Sequence, residues 1–254
     1  MRIGITERGD AGLDFSWCQK LFSGNYDGAI LITKNANEKF QTNLMHLYQS
    51  FPNILVHITC TGLGGTHLEP FVPKYVIQLN YMQNLLSDGF PADHIVLRLD
   101  PIIPTTKGLQ IARQVLDDFE KRNTGISRIR ISLLDEYRHV KERLQKQGFR
   151  PFYQGFQPTK QMRDNVIAML RNYPNFLFET CAEDLLAETA HLPNLIAKGC
   201  VSETELDLFN LKSDSSMLTN CQNRNGCHCL SCKVELLTQR HRCPHQCLYC
   251  YWKD

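Results

Sequence analysis

The sequence lacks what a membrane protein or a polyanion-binding protein needs. It has no apolar run of about 18 residues, the length a helix needs to span a bilayer, so no membrane partner is expected. It also lacks an excess of either charge. Lys and Arg number 28 against 26 Asp and Glu, a formal net of +2, which implies no strong field toward nucleic acid. The opening Met1-Arg2-Ile3-Gly4-Ile5 has no apolar signal-peptide core, so a cytoplasmic location is expected. No repeat, no low-complexity tract and no Gly-x-Gly-x-x-Gly dinucleotide fingerprint is present. Cysteine, by contrast, is abundant. A reducing compartment keeps thiols free, so the eleven cysteines read as metal ligands rather than disulfides, and seven of them fall after Asn220.

The 254 residues, 43% of them apolar, are enough for one sizeable core. Short apolar runs alternate with longer helical ones. Strands are expected at Arg2–Thr6, Gly28–Thr33, Ile54–Cys60, His94–Leu99, Arg128–Leu133 and Phe176–Thr180. Helices are expected at Phe15–Phe22, Asn43–Ser50, Pro73–Gly89, Gly108–Arg122, Glu136–Gln147 and Thr159–Tyr173. Strands that are apolar throughout, separated by helices, indicate parallel βαβ units. Six strands fall two short of a full eight-fold barrel. The expected fold is therefore α/β, a partial (β/α)6 TIM-type barrel over residues 1–210. Residues 211–254 form a Cys-rich C-terminal extension closing onto it, entered through a polar loop at Asn210–Asn220.

The tail reads Cys243-Pro-His-Gln-Cys247-Leu-Tyr249-Cys250, a C-x3-C-x2-C spacing with an aromatic before the third cysteine. Three thiolates on a four-iron cluster leave one iron open, as a catalytic zinc keeps one position for substrate. The plainer reading is a structural metal site, since short Cys spacings also bind zinc.

This loop resembles that of the radical S-adenosylmethionine enzymes. Its place at the end of the chain resembles one bacterial family of unknown function, DUF1848, as if the core were circularly permuted. Other stretches carry the same resemblance: Glu7-Arg8-Gly9-Asp10, Ile32-Thr33-Lys34-Asn35, Thr59-Cys60-Thr61-Gly62 with Glu69-Pro70, and Arg98-Leu99-Asp100-Pro101-Ile102. So do Cys181-Ala182-Glu183, Cys200-Val201 and Cys227-His228-Cys229, and more distantly the chain is similar to spore photoproduct lyase-like proteins. It departs from the family at Leu230–Leu237 and in its extra Cys221 and Cys232. The resemblance implies a [4Fe-4S] cluster on Cys243, Cys247 and Cys250 and S-adenosylmethionine as cofactor. It also implies an electron donor such as a flavodoxin or ferredoxin, and hydrogen abstraction from an unidentified substrate. The alternative is a non-catalytic domain stapled by zinc or iron–sulfur, with nucleic acid as a partner.

Lys34, Glu69, Arg98 and Asp100 end or follow strands, on the face where α/β barrels build their sites. They are candidate cofactor contacts, with helix capping or mutual pairing as the plainer reading. Arg98 and Asp100 share one strand face. Tyr249 is a candidate for the adenine side of the cofactor, and Tyr251 and Trp252 for apolar cover. Gly62-Leu63-Gly64-Gly65 would let backbone approach a ligand. A second metal site, an iron–sulfur cluster or zinc, could use Cys181, Cys200, Cys227 and Cys229, or the local set Cys221, Cys227, Cys229 and Cys232. Arg128, Arg130, Arg138, Lys141, Arg143 and Lys146, interleaved with acids, read as a solvated face. Arg240-His241-Arg242 lies beside the loop. No catalytic acid or base is assigned.

Overall fold

Strand β1 (Ile3–Ile5) lies one place from the edge of a sheet that otherwise grows outward from it in chain order. The strands that follow are β2 (Gly28–Thr33), β3 (Ile54–Thr59), β4 (Ile95–Ile102), β5 (Arg128–Leu133), β6 (Leu177–Thr180) and β7 (Leu195–Ala197). The last, β8 (Lys233–Glu235), returns to pair with β1. All pairs are parallel, and the order is β7-β6-β5-β4-β3-β2-β1-β8. These features come from a computed structural model that describes residues 1–213, 227–237 and 243–252.

Among the described residues, eight strands replace the six expected. β7 and β8 have three residues each, too short for an apolar run to stand out from its flanks. They count as strands because parallel neighbours pair with them.

The helices are α1 (Ser16–Ser23), α2 (Glu38–Tyr48), α3 (Tyr75–Ser87), α4 (Thr106–Lys121), α5 (Arg138–Lys146), α6 (Lys160–Leu170), α7 (Asp184–Ala190) and α8 (Glu203–Leu208). Their starts are chemically marked. The side chains of Asn37, Thr105 and Thr159 accept from Phe40 N, Gly108 N and Met162 N, filling donors that a first turn leaves open. Ser202 and Glu205 form a reciprocal capping box on α8. In α4 the apolar positions Leu109, Ala112, Leu116 and Phe119 recur at helical spacing and are buried.

Side chains alternate across a strand, so the sheet has two chemically different faces. On one, Leu31, Val56, Ile58, Leu97, Leu99, Ile129 and Ile131 pack with Leu79, Met82, Val115 and Leu116 of the helices in the main core. On the other, Ile3, Ile5, Ile30, Leu55 and Val96 share a second core with Phe209, Cys200, Cys227 and Cys229. That second face then turns polar: His57, Arg128, Arg130 and Glu179 are all buried on it.

Arg128 and Arg130 are not the solvated face expected from their sequence context. They lie in β5, where Arg128 Nη2 donates to Glu179 at 3.0 Å and Arg130 Nη2 at 2.7 Å, and Arg128 also pairs with Glu205. Their basic neighbours in sequence lie beyond the strand end. The period-two alternation, not the local charge density, decides their environment.

No helix among the described residues is long and apolar enough to cross a membrane.

Candidate functional site

The carboxyl ends of β1 to β6 open into one cavity of about 540 Å³. In parallel α/β sheets this edge collects ligands, because the loops that follow the strands diverge there. Lys34, Arg98, Asp100, Cys243, Cys247, Tyr249 and Cys250 all line it, as do Cys181 and Cys200. Residues more than 200 apart in sequence are thus brought to one wall.

The cysteine loop is held by the loops and helices around the strand ends as well as by its own short turns. His245, between the first two cysteines, is buried with Nε2 2.8 Å from Asp10 Oδ2 and Nδ1 3.1 Å from Phe71 O. Leu248 N donates to Leu68 O at 2.9 Å. Arg143 Nη1, from α5, donates to Leu248 O at 2.8 Å and Cys250 O at 2.9 Å. Leu248 and Tyr249 enter a third apolar cluster with Leu63, Val72 and Val140. Gln246 sits at φ 51°, an uncommon region for a side-chain-bearing residue, and such strain persists only where surroundings impose it. Burial pushes the Cys243 thiol up to about 11 and the Cys247 thiol up to about 12. A metal would therefore have to displace protons from both.

Lys34, Glu69 and Tyr249 form one network. Lys34 Nζ donates to Glu69 Oε1 at 2.8 Å and to Tyr249 Oη at 3.0 Å, Tyr249 Oη donates to Glu69, and Thr61 Oγ1 donates to Glu69 Oε2 at 2.6 Å. Burial raises the Glu69 pKa, but the Lys34 charge and these donors outweigh it and hold the carboxyl below its usual range. Glu69 is fully buried behind Lys34 and does not line the cavity. Its place is that of an anchor, whereas Lys34 and Tyr249 reach the wall.

Arg98 and Asp100 are paired, as their shared strand face allows, and Ser132 Oγ donates to Asp100. Arg98 Nε and Nη1 are buried with no hydrogen-bond partner among the described residues. Tyr251 and Trp252 line the cavity but are 42% and 37% exposed. Tyr251 stacks on Tyr137 at 5.9 Å, and Arg8 lies 5.5 Å over Trp252.

Of the second cysteine set, the sulfurs of Cys181, Cys200 and Cys229 lie within 4.8 Å of one another. Cys227 is buried in the same cluster as Cys200 and Cys229, and the neighbouring Cys181 draws its pKa down to about 5. In the competing local set, Cys232 is buried in the second core, while Cys221 lies outside the described residues, as does Arg240-His241-Arg242. The glycine loop does not line the cavity. A Cβ on Gly64 would meet Val72 O at 3.1 Å, and Gly62 at φ 78° faces Ile111 and Val115. Its glycines let the chain approach itself, not a ligand.

Sequence reading missed Asp10, His245 and Arg143 as site residues. Asp10 and His245 stand within the quoted motifs, so position was the available signal; nothing local marked Arg143.

Fold and site together define a parallel α/β protein whose sheet edge carries a cysteine-lined cavity. Residues 19–252 match the family described as Domain of unknown function (DUF1848), and the chain belongs to that family. No curated protein matches it. Among solved structures it is similar to the carboxyl transferase domain of Rhizobium etli pyruvate carboxylase, at 8% identity and a TM-score of 0.32. That alignment covers 78% of this chain and 39% of the other, so this chain spans well under half of the protein it matches.

Proposed function

We propose that this chain is a radical S-adenosylmethionine enzyme built on a circularly permuted partial barrel. The observation that carries the reading is the convergence of Cys243, Cys247 and Cys250 on one cavity with Lys34, Arg98 and Asp100. The sequential strand order supports a barrel, and Leu230 N, just before β8, donates to Val201 O, just after β7, at 2.9 Å.

The residues fit the cofactors this reading requires. Three thiols at this spacing suit a four-iron cluster with one open iron. The cavity is within the range of small-molecule sites, and two buried donors of Arg98, which lines it, have no hydrogen-bond partner among the described residues. A cluster held by Cys243, Cys247 and Cys250 would supply the electron for reductive cleavage of S-adenosylmethionine, the chemistry that would make hydrogen abstraction from a substrate possible.

The chain's own residues would do the rest. Cys243, Cys247 and Cys250 hold the cluster. Arg143 and the Asp10–His245 contact fix the loop backbone, so that the thiols keep one geometry. Arg98 binds the cofactor carboxylate, and Asp100 with Ser132 orients Arg98. Lys34 sets a positive charge beside Cys247, with Glu69 keeping it in place. Tyr249 walls the cofactor, and Tyr251 and Trp252 shield the mouth from water. The substrate is unidentified, and the electron comes from a donor such as a flavodoxin or ferredoxin.

The rival, a non-catalytic metal-stapled domain, is favoured by the contact among Cys181, Cys200 and Cys229. One experiment separates the two. Protein isolated without oxygen, given a strong reductant and S-adenosylmethionine, should release 5′-deoxyadenosine and methionine slowly. It should hold about four irons or more per chain, from the cluster stoichiometry. Zinc alone in place of iron and sulfide refutes the enzyme reading, and so does an iron-replete protein that leaves S-adenosylmethionine intact.

A further inference from the structure

We propose that Cys181, Cys200, Cys227 and Cys229 hold a single thiophilic divalent ion, zinc or iron(II), in a closed tetrahedral site at the seam between the two ends of the sheet. The inference stands apart from the function of the three-cysteine loop.

Distance selects a single ion over a cluster. Thiolates about 2.3 Å from one ion lie roughly 3.8 Å apart at tetrahedral angles, and never more than about 4.6 Å. The sulfurs of Cys181, Cys200 and Cys229 lie within 4.8 Å of one another, and Cys227, two residues before Cys229, is buried in the same side-chain cluster as Cys200 and Cys229, with Cys181 packed against it. A four-iron cube places an iron–iron edge between any two of its thiolates and spreads them further. All four cysteines are free thiols, so no disulfide competes for them.

The surroundings suit four thiolates. Cys200 N donates to Cys229 Sγ at 3.2 Å, and Lys233 Nζ reaches the same sulfur at 3.8 Å. The Arg130 and Arg98 guanidiniums also act on Cys200. Such donors stabilise the net negative charge that four thiolates leave on a divalent ion.

The backbone is arranged for this convergence. Cys181 follows β6, and Ala182 beside it sits at φ 60°. Cys200 follows β7, and a Cβ on Gly199 would stand 2.6 Å from Cys229 N. Only glycine admits that approach. Arg130 Nη1 donates to Gly199 O at 2.6 Å, and His228 Nε2 lies 2.7 Å from Asp184 Oδ1. Three of the four cysteines are buried, and Cys181 and Cys200 also line the large cavity. The ion would thus fasten the Cys-rich segment to the strand ends and stiffen one cavity wall.

The test uses the full chain with Cys243→Ala, Cys247→Ala and Cys250→Ala, so that the other loop cannot bind metal. Isolated without oxygen, it should carry about one zinc or iron per chain with no acid-labile sulfide, as one S₄ site requires. Exchange with Co²⁺ should give the intense visible bands of a tetrahedral thiolate site. Adding Cys227→Ser or Cys200→Ser should remove the metal and lower Tm. Sulfide in stoichiometry with iron would overturn the single-ion assignment, and a folded, metal-free triple variant would overturn the site. If the triple variant does not fold, X-ray absorption on zinc-loaded wild type decides. Four sulfurs at about 2.3 Å support the site; nitrogen or oxygen ligands, or no bound zinc, refute it. Neither readout depends on S-adenosylmethionine cleavage.

Discussion

Nε2 of His245 lies 2.8 Å from Oδ2 of Asp10, and both side chains are buried. The contact ties the cysteine loop to the turn after β1, at opposite ends of the chain. Asp10 also accepts from Thr33 Oγ1 at 2.6 Å, Lys34 N at 2.7 Å and Gly12 N at 2.8 Å. Burial raises its pKa, but His245 and these donors together hold it below the usual carboxylate range. Asp10→Asn keeps the volume and removes the charge. The expected cost is about 1.5–3 kcal/mol in denaturant unfolding, the range for a hydrogen bond to a charged group. Iron bound by the anaerobic protein should fall as well. An unchanged midpoint with full iron would show that the loop is held without this contact.

Glu69 sets a second expectation, because three donors converge on it. Glu69→Gln leaves the partly buried Lys34 ammonium without its anionic partner, and since Lys34 reaches the cavity wall the cost should fall at the low end for a broken buried pair, about 3 kcal/mol. Tyr249→Phe removes one donor while Lys34 and Thr61 remain, so its cost should be about 1–2 kcal/mol. Urea unfolding of both variants gives the order. A larger loss for Tyr249→Phe would place the weight on the aromatic contact instead.

The second face of the sheet predicts an acid response. His57 is fully buried near Arg130, Arg98 and Arg128, and burial first, then these charges, hold its pKa well below 6.5. In the unfolded chain it takes a proton near its ordinary value. A depressed folded pKa gives stability that is present above 6.5 and lost as pH falls below it. Asp10, Asp100, Glu69 and Glu179 are also depressed, against ordinary values of 3.8 for Asp and 4.5 for Glu. Their stability is present above those values and lost as pH falls further. Unfolding free energy should therefore decline in two stages on acidification. His57→Gln should remove the first, which sets in as pH falls below 6.5 and lies above the carboxylate range, and leave the second. An unaltered slope in that window would refute the assignment to His57.

The strands β1 to β6 were readable because each carries an apolar face: β2 is apolar almost throughout, while in β3 to β6 the apolar residues alternate with His57, Arg98, Arg128, Arg130 and Glu179. β7 and β8 were not readable, since three residues carry no period and β8 gains its identity from pairing with β1. The three-cysteine loop was legible as spacing alone, and so was the shared face of Arg98 and Asp100. The partners of that loop were not. Arg143 looks like any helix-surface cation until the tail folds over α5. Arg128 and Arg130 look like part of a solvated run until Glu179 and Glu205 arrive from distant elements. Glu69 was placed with the strand-end candidates because it follows β3, but the turn at Gly64 carries it behind the wall.

The final expectation concerns Arg98. Its Nη2 pairs with Asp100, while Nε and Nη1 have no hydrogen-bond partner among the described residues. A guanidinium on a cavity wall with donors not used by the described residues suits a carboxylate, which takes charge-assisted hydrogen bonds from it. Arg98→Lys keeps the charge but offers only a point donor. S-adenosylmethionine binding should weaken by about tenfold or more, the equivalent of about 1.4 kcal/mol, with iron content unchanged. Asp100→Ala should also weaken binding, because Arg98 loses the partner that orients it. Ser132→Ala should do so less, since Asp100 keeps its pair with Arg98. Equilibrium binding to reconstituted protein, with iron assayed on the same samples, reads all three. Iron loss in Arg98→Lys would mean that the residue supports the cluster loop or the fold. Unchanged affinity at full iron would remove Arg98 from the cofactor site and return the carboxylate to Lys34.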